Sequence, residues 1–343
     1  MTILLVVDAV WSQLESSPGR NIVAVFFRTV AHALCCTAAH HLASLPVRTS
    51  VEAKRERVVN KVVAMAPGST RSVVGLARAC HPGPVVAVSA AAVGYALAVG
   101  CTRREAIRVG LAVSSGQLAI GWQNDWTDAA RDQLAGRRDK PIPNGEVTER
   151  LVGIAAVLAG ICCVPASLAT GRTGGLTHLA AVLSAASYNA GLKSTPASFV
   201  PFALSFSLLP VFVQLSRENA SFPPPWAPVA AGTLGVAAHL LNVLPDRELD
   251  RSLGVLGLPQ RLSREKSLAL AGGLLVLSSG LVSFAPRRPD ITGTLSFLAS
   301  LALGGVAVHA GYIRQDRRAF RFVLVLALLD VAQLLVFSVC SRR

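Results

Sequence analysis

The sequence predicts an all-α polytopic membrane protein, with about nine transmembrane helices bundled around a central cavity. Of its 343 residues, 52% are hydrophobic and only 15% are charged, whereas a soluble domain carries about a quarter charged residues. The mean hydropathy is +0.51. Its apolar runs are also as long as the roughly 20 residues that a helix needs to cross the hydrocarbon core of a bilayer.

The N-terminal region is predicted to be an extension with a basic cytoplasmic linker (1–72), separate from a membrane domain at 75–341. Residues 22–45 are apolar, but an arginine and three histidines interrupt them. A charged residue at mid-membrane costs about 3 kcal/mol, so an interfacial helix is predicted there instead of a span. The second of the two methionines, Met65, lies just before the membrane domain. Residues 1–64 are therefore predicted to be dispensable.

Nine apolar segments follow this region. Several contain Gly or Pro, which membrane helices tolerate when neighbouring groups satisfy the freed backbone. Small residues are frequent in the first two segments and favour close contact between helices. The nine predicted segments are 82–100, 106–124, 151–169, 175–192, 198–215, 226–244, 267–285, 291–311 and 320–339.

The basic residues of the loops predict the orientation of these segments. The net charge of +14 arises largely in short loops between apolar segments, which indicates membrane topology and argues against nucleic acid as a partner. The loops after the second, sixth and eighth segments carry four or five basic residues each, and those after the first, third, fifth and seventh carry one or two. Basic loops stay on the cytoplasmic side. The chain is thus predicted to be integral to the cell membrane, with a cytoplasmic N-terminus and an external C-terminus.

Two acidic motifs stand at the cytoplasmic ends of the second and sixth segments. Both read N-x-x-x-D-x-x-x-D, at 124–132 and 242–250. Residues at i, i+4 and i+8 share one helical face, so each motif is expected to aim an amide and two carboxylates in one direction. Convergent carboxylates repel one another unless cations lie between them, and Mg²⁺ prefers oxygen ligands together with substrate phosphates. The motifs predict a Mg²⁺–diphosphate site, with solvated helix ends as the alternative.

The two motifs also indicate an internal duplication. They lie 118 residues apart, and each is followed by a basic loop. This arrangement predicts two pseudo-repeated helical units, whose motifs would face each other across one cavity.

With these motifs the chain resembles the UbiA superfamily of intramembrane prenyltransferases. The first motif contains N-D-x-x-D-x-x-x-D and is followed at 136–141 by G-R-R-D-K-P, which is similar to the family's G-R-x-D-K-P sequence. The second motif is followed at 257–262 by G-L-P-Q-R-L. Between them, Y-N-A-G-L-K at 188–193 resembles the family's Tyr…Lys element. The resemblance covers roughly residues 75–340.

The resemblance implies Mg²⁺-dependent ionisation of a prenyl diphosphate and transfer of the prenyl group to a lipophilic acceptor, either an aromatic quinone precursor or a lipid. The departing diphosphate needs its charge stabilised, which metal ions do. The predicted Mg²⁺ ligands are Asn124, Asp128, Asp132, Asp246 and Asp250, with Asp125 a weaker candidate. The predicted diphosphate contacts are Asn124, Arg137, Lys140, Lys193 and Asn242. For Arg137, Lys140 and Lys193, ordinary loop charge is the alternative.

Three further residues are candidates. Tyr188 is predicted, with Lys193 and the four motif aspartates, to be catalytic: it would orient the diphosphate or stabilise an allylic cation, and an interfacial aromatic is the alternative. Asp330 lies midway along the ninth segment, and an intramembrane carboxylate indicates a functional site. It is a candidate base or anchor for the acceptor, with a hydrogen bond to another helix as the alternative. His239, on the sixth segment near the second motif, is a candidate of the same kind.

Two other functions use the same residues. A terpene cyclase of the same superfamily would quench the cation within its own chain and would need the same metal motifs. A transporter could use intramembrane carboxylates, but transporter sites usually lie near the middle of the membrane, whereas both motifs are predicted at its cytoplasmic boundary.

Overall fold

The protein is all-helical over the part of the chain that a computed structural model describes, residues 68–286, 291–313 and 318–340. No β-strand occurs within these ranges. Two short 3₁₀ turns, Leu192–Ser194 and Pro196–Phe199, separate the fifth helix from the sixth. The α-helices are α1 (Gly68–Ala79), α2 (Pro82–Ala98), α3 (Arg103–Leu134), α4 (Glu149–Leu168), α5 (Arg172–Asn189), α6 (Val200–Leu215), α7 (Trp226–Val243), α8 (Arg247–Ser252), α9 (Leu258–Arg261), α10 (Arg264–Phe284), α11 (Ile291–Ile313) and α12 (Arg318–Cys340).

Each predicted apolar segment coincides with one of the long helices, α2 to α7 and α10 to α12. Within the described ranges, five stretches are by themselves long and apolar enough to cross a membrane: α4, α6 with the preceding turn, α7, α10 and α11. A sixth is α1 with α2, if this pair, bent by 57°, forms one span. The all-α fold with several candidate spans is confirmed, whereas nine spans and two repeated units stay predictions.

The N-terminal predictions fall largely outside the described residues. The interfacial helix at 22–45 and the dispensable segment 1–64 lie there entirely. The proposed domain boundary near residues 72–75 falls inside α1, which contacts α2, α3 and α4. The division into two parts therefore stays a prediction.

Helix α3 runs further than its apolar segment predicts. Thr102 and Glu105 form a capping box at its N-terminus. The side chain of each residue accepts a hydrogen bond from the backbone N–H of the other, so two N–H groups that the first turn would leave unpaired are satisfied. The helix has 32 residues and is about 48 Å long at 1.5 Å per residue. This length exceeds the roughly 30 Å thickness of a bilayer's hydrocarbon core, and the last turns of the helix carry the first acidic motif.

The long helices form a closed ring in which each one contacts its neighbour in the chain and α12 returns to contact α2. One buried apolar cluster joins α7, α10, α11 and α12, and another joins α2, α3 and α6. Helices α2, α6, α7, α10 and α12 surround a cavity of about 120 Å³. The ring therefore holds the two acidic motifs, at the ends of α3 and α7, on the same side of the bundle.

Helix α3 touches the corner between α1 and α2 very closely. His81 forms this corner with a left-handed backbone, φ 56°. The α-carbon of Gly121 lies against the backbone of Cys80, so that a β-carbon there would overlap the Cys80 carbonyl group. Only glycine allows this approach, which brings the start of α2 next to the first acidic motif.

We expect Gly121→Ala to destabilise the protein by about 1–3 kcal/mol, the usual cost of overpacking. Gly160→Ala on α4 is the matched control, because nothing lies within 4 Å of its added β-carbon. Thermal unfolding of both variants in detergent measures the difference. Equal stability of the two variants would show that the contact between α3 and the corner is not tight.

Candidate functional site

The first acidic motif lies on one continuous stretch of α3. An asparagine of α5 accepts a hydrogen bond from the side-chain amide of this motif's Asn124. Asn124 Nδ2 donates to Asn189 Oδ1 at 3.0 Å and to Asp128 Oδ2 at 3.4 Å. The amide of Asn189 in turn donates to the Ile120 carbonyl and to Gln123 Oε1. The sequence predictions do not include Asn189 as a site residue. Its position directly after Tyr188 is the only signal that the sequence offers.

Two basic side chains neutralise the central carboxylate of this motif. Asp128 is only 8% exposed, and it forms ion pairs with Lys193 Nζ and with Arg131 Nη2, the second at 2.7 Å. Lys193 lies in the 3₁₀ turn after α5. The backbone enters this turn at Gly191, whose φ of 137° favours glycine. Burial lowers the pKa of Lys193, and the charge of Asp128 opposes this shift. The structure thus brings Lys193 to the first motif.

Asp125 points to a different set of partners. It is 2% exposed, and its Oδ1 is 3.0 Å from His81 Nε2 and in contact with Lys140 Nζ. Lys140 belongs to the loop after α3 and reaches back to this helix, so the lysine lies at the edge of the first motif. Asp125 therefore connects the corner at His81 to the loop after α3.

The second acidic motif is broken in the middle. Helix α7 ends at Val243, and Asp246 is the N-cap of the short helix α8. Pro245 has no N–H to continue the hydrogen bonding of α7, and its ring disfavours the preceding turn. The prediction of one continuous helical face for 242–250 is therefore wrong, although it holds for 124–132. Asn242 lies in the last turn of α7, and Asp250 lies on α8.

The segment that follows α8 supplies a partner for Asp250. Gln260, in α9, is buried and donates from Nε2 to Asp250 Oδ2 at 2.9 Å. Burial raises the pKa of Asp250, and the hydrogen bond from Gln260 opposes that shift. The G-L-P-Q-R-L sequence thus reaches the second motif through Gln260, a residue that the sequence did not single out.

Arg137 connects the two motifs. Its guanidinium donates to both carboxylate oxygens of Asp139 at 2.9 Å and lies 3.3 Å from Asp246 Oδ1. The hydrogen bond between Arg137 and Asp139 raises the pKa of the arginine and lowers the pKa of the aspartate. Gly136, with φ 64°, makes the turn that leads out of α3. The loop after the first motif therefore contacts the second one.

Tyr188 lies in the last turn of α5. The adjacent Asn189 accepts a hydrogen bond from Asn124 of the first motif, and Arg137, from the loop after this motif, reaches Asp246 of the second, so the two motifs border a common space at the end of α5. The Tyr188 ring makes edge contacts with Phe202 and His239, with ring centroids 5.1 and 5.5 Å apart. An aromatic cluster thus forms the inner wall of this space.

The donor set suits Mg²⁺, but basic side chains separate the carboxylates. Among the described residues, no three His, Cys, Asp or Glu side chains lie close enough together to share one ion. Asp128 and Asp246 are instead paired with Lys193, Arg131 and Arg137. Carboxylate and amide oxygens are ligands that Mg²⁺ accepts together with phosphates, and arginine suits phosphate oxygens. The residues therefore fit both an ion and a diphosphate.

Asp330 lies elsewhere, among α10, α11 and α12. Its carboxyl group accepts hydrogen bonds from Ser300 at 3.2 Å and Ser279 at 3.5 Å. His239 stays near the site, where its Nε2 is 3.0 Å from Ser198 Oγ. The structure thus brings His239, but not Asp330, to the acidic motifs.

Comparison with known proteins gives a consistent result. A family model described as the UbiA prenyltransferase family matches residues 86–329. No curated protein sequence matches the chain. Three of the similar solved structures share 15–17% sequence identity with it, a level at which the likeness shows the fold alone.

The first is the apo structure of a UbiA homolog from Aeropyrum pernix K1, with 16% identity and a TM-score of 0.63 over 74% of this chain and 97% of that one. The second is a UbiA homolog from Archaeoglobus fulgidus bound to DMAPP and Mg²⁺, with 17% identity and a TM-score of 0.58 over 77% and 99%. The third is described as a digeranylgeranylglyceryl phosphate synthase in membranes, with 15% identity and a TM-score of 0.57 over 78% and 99%.

We expect Lys193→Met to destabilise the ligand-free protein by about 3 kcal/mol, because removing one partner of a buried ion pair leaves the other charge poorly compensated. The double variant with Asp128→Asn should recover part of this loss, since the uncompensated charge is then absent. Thermal unfolding in detergent with EDTA compares the two. Equal stability of the single and double variants would show that the lysine does not neutralise Asp128.

Proposed function

We propose, since the chain belongs to the UbiA prenyltransferase family, that it is a Mg²⁺-dependent intramembrane prenyltransferase. It would transfer the prenyl group of an isoprenoid diphosphate to a lipophilic acceptor, either an aromatic quinone precursor or a lipid. The observation that supports this most strongly is the convergence of the two acidic motifs: Lys193 pairs with Asp128 of the first motif, and Arg137, from the loop after it, lies 3.3 Å from Asp246 of the second. The binding of DMAPP and Mg²⁺ by the Archaeoglobus homolog is consistent with it.

The acidic residues would hold Mg²⁺. We assign this role to Asn124, Asp128, Asp132, Asp246 and Asp250. Bound Mg²⁺ would offset the negative charge that develops on the departing diphosphate. Asp125 stays a weaker candidate, because it is offset by one residue from the helical face that Asn124, Asp128 and Asp132 share and contacts His81 and Lys140 instead.

The basic residues would bind the diphosphate. Lys193 and Arg137 are held at the motifs by Asp128 and Asp246, and a diphosphate could accept from the same donors. Fixed positive charge at the place where negative charge develops lowers the barrier without reorganisation. Asn242 and Lys140 are proposed as further contacts, with Lys140 at the edge of the first motif.

The aromatic cluster would face the reacting carbon. Tyr188 lies between the charged residues and the rings of Phe202 and His239. An allylic cation is attracted to the face of an aromatic ring, and these rings also shield the site from the apolar side. We therefore propose that Tyr188 stabilises the cation after the diphosphate departs.

The orientation follows from the same assignment. We propose that the N-terminus and both acidic motifs face the cytoplasm, where water-soluble diphosphates are available, and that the lipophilic acceptor enters from the membrane. The transporter alternative is less well supported, because both motifs lie at helix ends and transporter sites usually lie near the middle of the membrane.

Asp128→Ala and Asp246→Ala are each expected to lower diphosphate release by at least about 100-fold, the usual effect of losing a group that stabilises developing charge. Glu248→Ala is the matched control: it removes an acidic residue two positions from Asp246, but this side chain is exposed and pairs with Arg247. The assay follows Mg²⁺-dependent turnover of radiolabelled farnesyl, geranylgeranyl and longer diphosphates by the purified protein.

The same assay separates the two enzymatic functions. A new labelled lipid that forms only when a membrane-lipid extract is added would indicate a transferase. A hydrocarbon or terpene alcohol formed without the extract would indicate a cyclase of the same family. Full turnover by the two aspartate variants would contradict the proposed site.

Arg137→Ala should raise the KM for the prenyl diphosphate about tenfold, because a guanidinium that donates two hydrogen bonds to an oxyanion is lost. Arg138→Ala removes the same charge from the adjacent, exposed position and should leave KM nearly unchanged. Steady-state kinetics at varied diphosphate concentration test this. Equal effects of the two substitutions would mean that only the overall charge of the loop matters.

A further inference from the structure

Two connecting segments meet beside the acidic motifs. The turn after α5 supplies Lys193 to the first motif, and the segment after α8 supplies Gln260 to the second. These segments touch at Gly257, where a β-carbon would lie 2.5 Å from the Lys193 carbonyl oxygen and 2.8 Å from Ser198 Oγ. The backbone that carries the partner of one motif therefore lies directly against the backbone that carries the partner of the other.

Ser198 joins both segments to α7. It lies in the second 3₁₀ turn and is fully buried. Its Oγ accepts a hydrogen bond from the Leu258 N–H at 2.8 Å and lies 3.0 Å from Nε2 of His239 on α7. A serine hydroxyl has two acceptor positions and one hydrogen, so it can form both hydrogen bonds at once. The first N–H groups of a helix have no partner within it, and Ser198 supplies one for the first residue of α9.

His239 gives this serine a fixed partner. Its side chain is 1% exposed, and its ring stacks on Phe202 and meets Tyr188 edge-on, with ring centroids 4.7 and 5.5 Å apart. Its Nδ1 is buried and has no hydrogen-bond partner among the described residues. Because buried polar groups are normally satisfied, the contact with Ser198 is the one that ties the polar edge of this ring to the rest of the site.

The contact reaches Asp250 through α9. This helix is a single turn, Leu258–Arg261, so Leu258 and Gln260 move together. Gln260 is buried and donates from Nε2 to Asp250 Oδ2 at 2.9 Å. Its Oε1 has no hydrogen-bond partner within the described part of the chain. The direction of the Gln260 side chain therefore depends on where Ser198 holds α9.

We propose that Ser198 and His239 are positioning residues for the second motif. Ser198 fixes α9 so that Gln260 orients the carboxylate of Asp250 for Mg²⁺, and His239 fixes the hydroxyl of Ser198. Carboxylates that bind metals are themselves usually hydrogen-bonded, and loss of such a partner typically weakens metal binding about 10–100-fold. This inference rests on the proposed function, because it takes Asp250 as a ligand of Mg²⁺.

A double-variant measurement of Mg²⁺ binding tests the role of Ser198. Calorimetric titration of farnesyl thiolodiphosphate into the protein in nanodiscs, at a series of Mg²⁺ concentrations, gives the concentration needed for half-maximal binding. We expect Ser198→Ala and Gln260→Leu each to raise this concentration about tenfold. The double variant should raise it no further, because effects transmitted through one contact do not add. Additive effects, or an unchanged Mg²⁺ requirement in Ser198→Ala, would overturn the proposal.

The matched control is Ser205→Ala on α6. Ser205 Oγ donates to the Ala181 carbonyl at 2.9 Å, so this variant loses the same kind of serine hydrogen bond, but to α5 instead of α9. It should leave the Mg²⁺ requirement unchanged. A shift as large as that of Ser198→Ala would mean that any lost hydrogen bond between these elements has the same effect, and the positioning role would be wrong.

His239→Phe tests the other half of the proposal. The new ring can keep the contacts with Phe202 and Tyr188, while the hydrogen bond with Ser198 is lost. This variant should raise the Mg²⁺ requirement by itself and have no further effect in the Ser198→Ala background. Equal increases in both backgrounds would show that His239 does not act through Ser198.

Hydrogen exchange in the ligand-free protein with EDTA separates this inference from the proposed function. Ser198→Ala should raise the exchange rate of the Leu258 N–H at least about tenfold, because this group loses its partner, and Ser205→Ala should not. Arg247 still donates to the carbonyls of Pro259 and Leu262, so α9 stays attached in the variant. Unchanged exchange would contradict the role of Ser198 whatever the binding results. If the unaltered protein binds no thiolodiphosphate, the proposed function fails, and the exchange rates still decide whether Ser198 holds α9.

Discussion

The charges of the two acidic motifs must be balanced at the boundary of an apolar helical bundle. The ring of helices brings both motifs to one side, where the carboxylates alone would repel one another. The structure balances them with basic side chains: Lys193 from the turn after α5, Arg137 and Lys140 from the loop after α3, and Arg131 of α3 itself. The ion pairs of the site therefore hold the connecting segments in place. A ligand that changes the net charge of the site would affect each of these segments.

Much of the fold could be predicted from the sequence, because length and hydropathy are sufficient to identify helices in a membrane protein. The positions of the long helices agree with the nine apolar segments. Two local features differ for identifiable reasons. Helix α3 continues to Leu134, because contacts with Asn189, Lys140 and Lys193 hold the polar side chains of its last turns. Helix α7 ends before Asp246 because Pro245 interrupts it, although the regular spacing of the motif suggested otherwise.

The candidate site could be predicted only in part. The acidic residues and Lys193 follow recognisable patterns, and the chain brings Lys193 to the first motif. The supporting residues Asn189 and Gln260 could not be found by spacing, because each acts on a motif through a contact that only the folded chain creates. The ion pair between Lys140 and Asp125 likewise depends on the turn after α3. The presence of a lysine and an aspartate in the sequence does not by itself predict this pair.

The most direct test of a shared metal and diphosphate site is a binding measurement with a substrate that cannot ionise. Farnesyl thiolodiphosphate can be titrated calorimetrically into the purified protein in nanodiscs, once with Mg²⁺ and once with EDTA. A single site that binds only in the presence of Mg²⁺, and that is lost when either Asp128 or Asp246 is replaced by Ala, is the result that convergence of the motifs predicts. Equal binding in EDTA, or binding that needs only one of the two motifs, would contradict it.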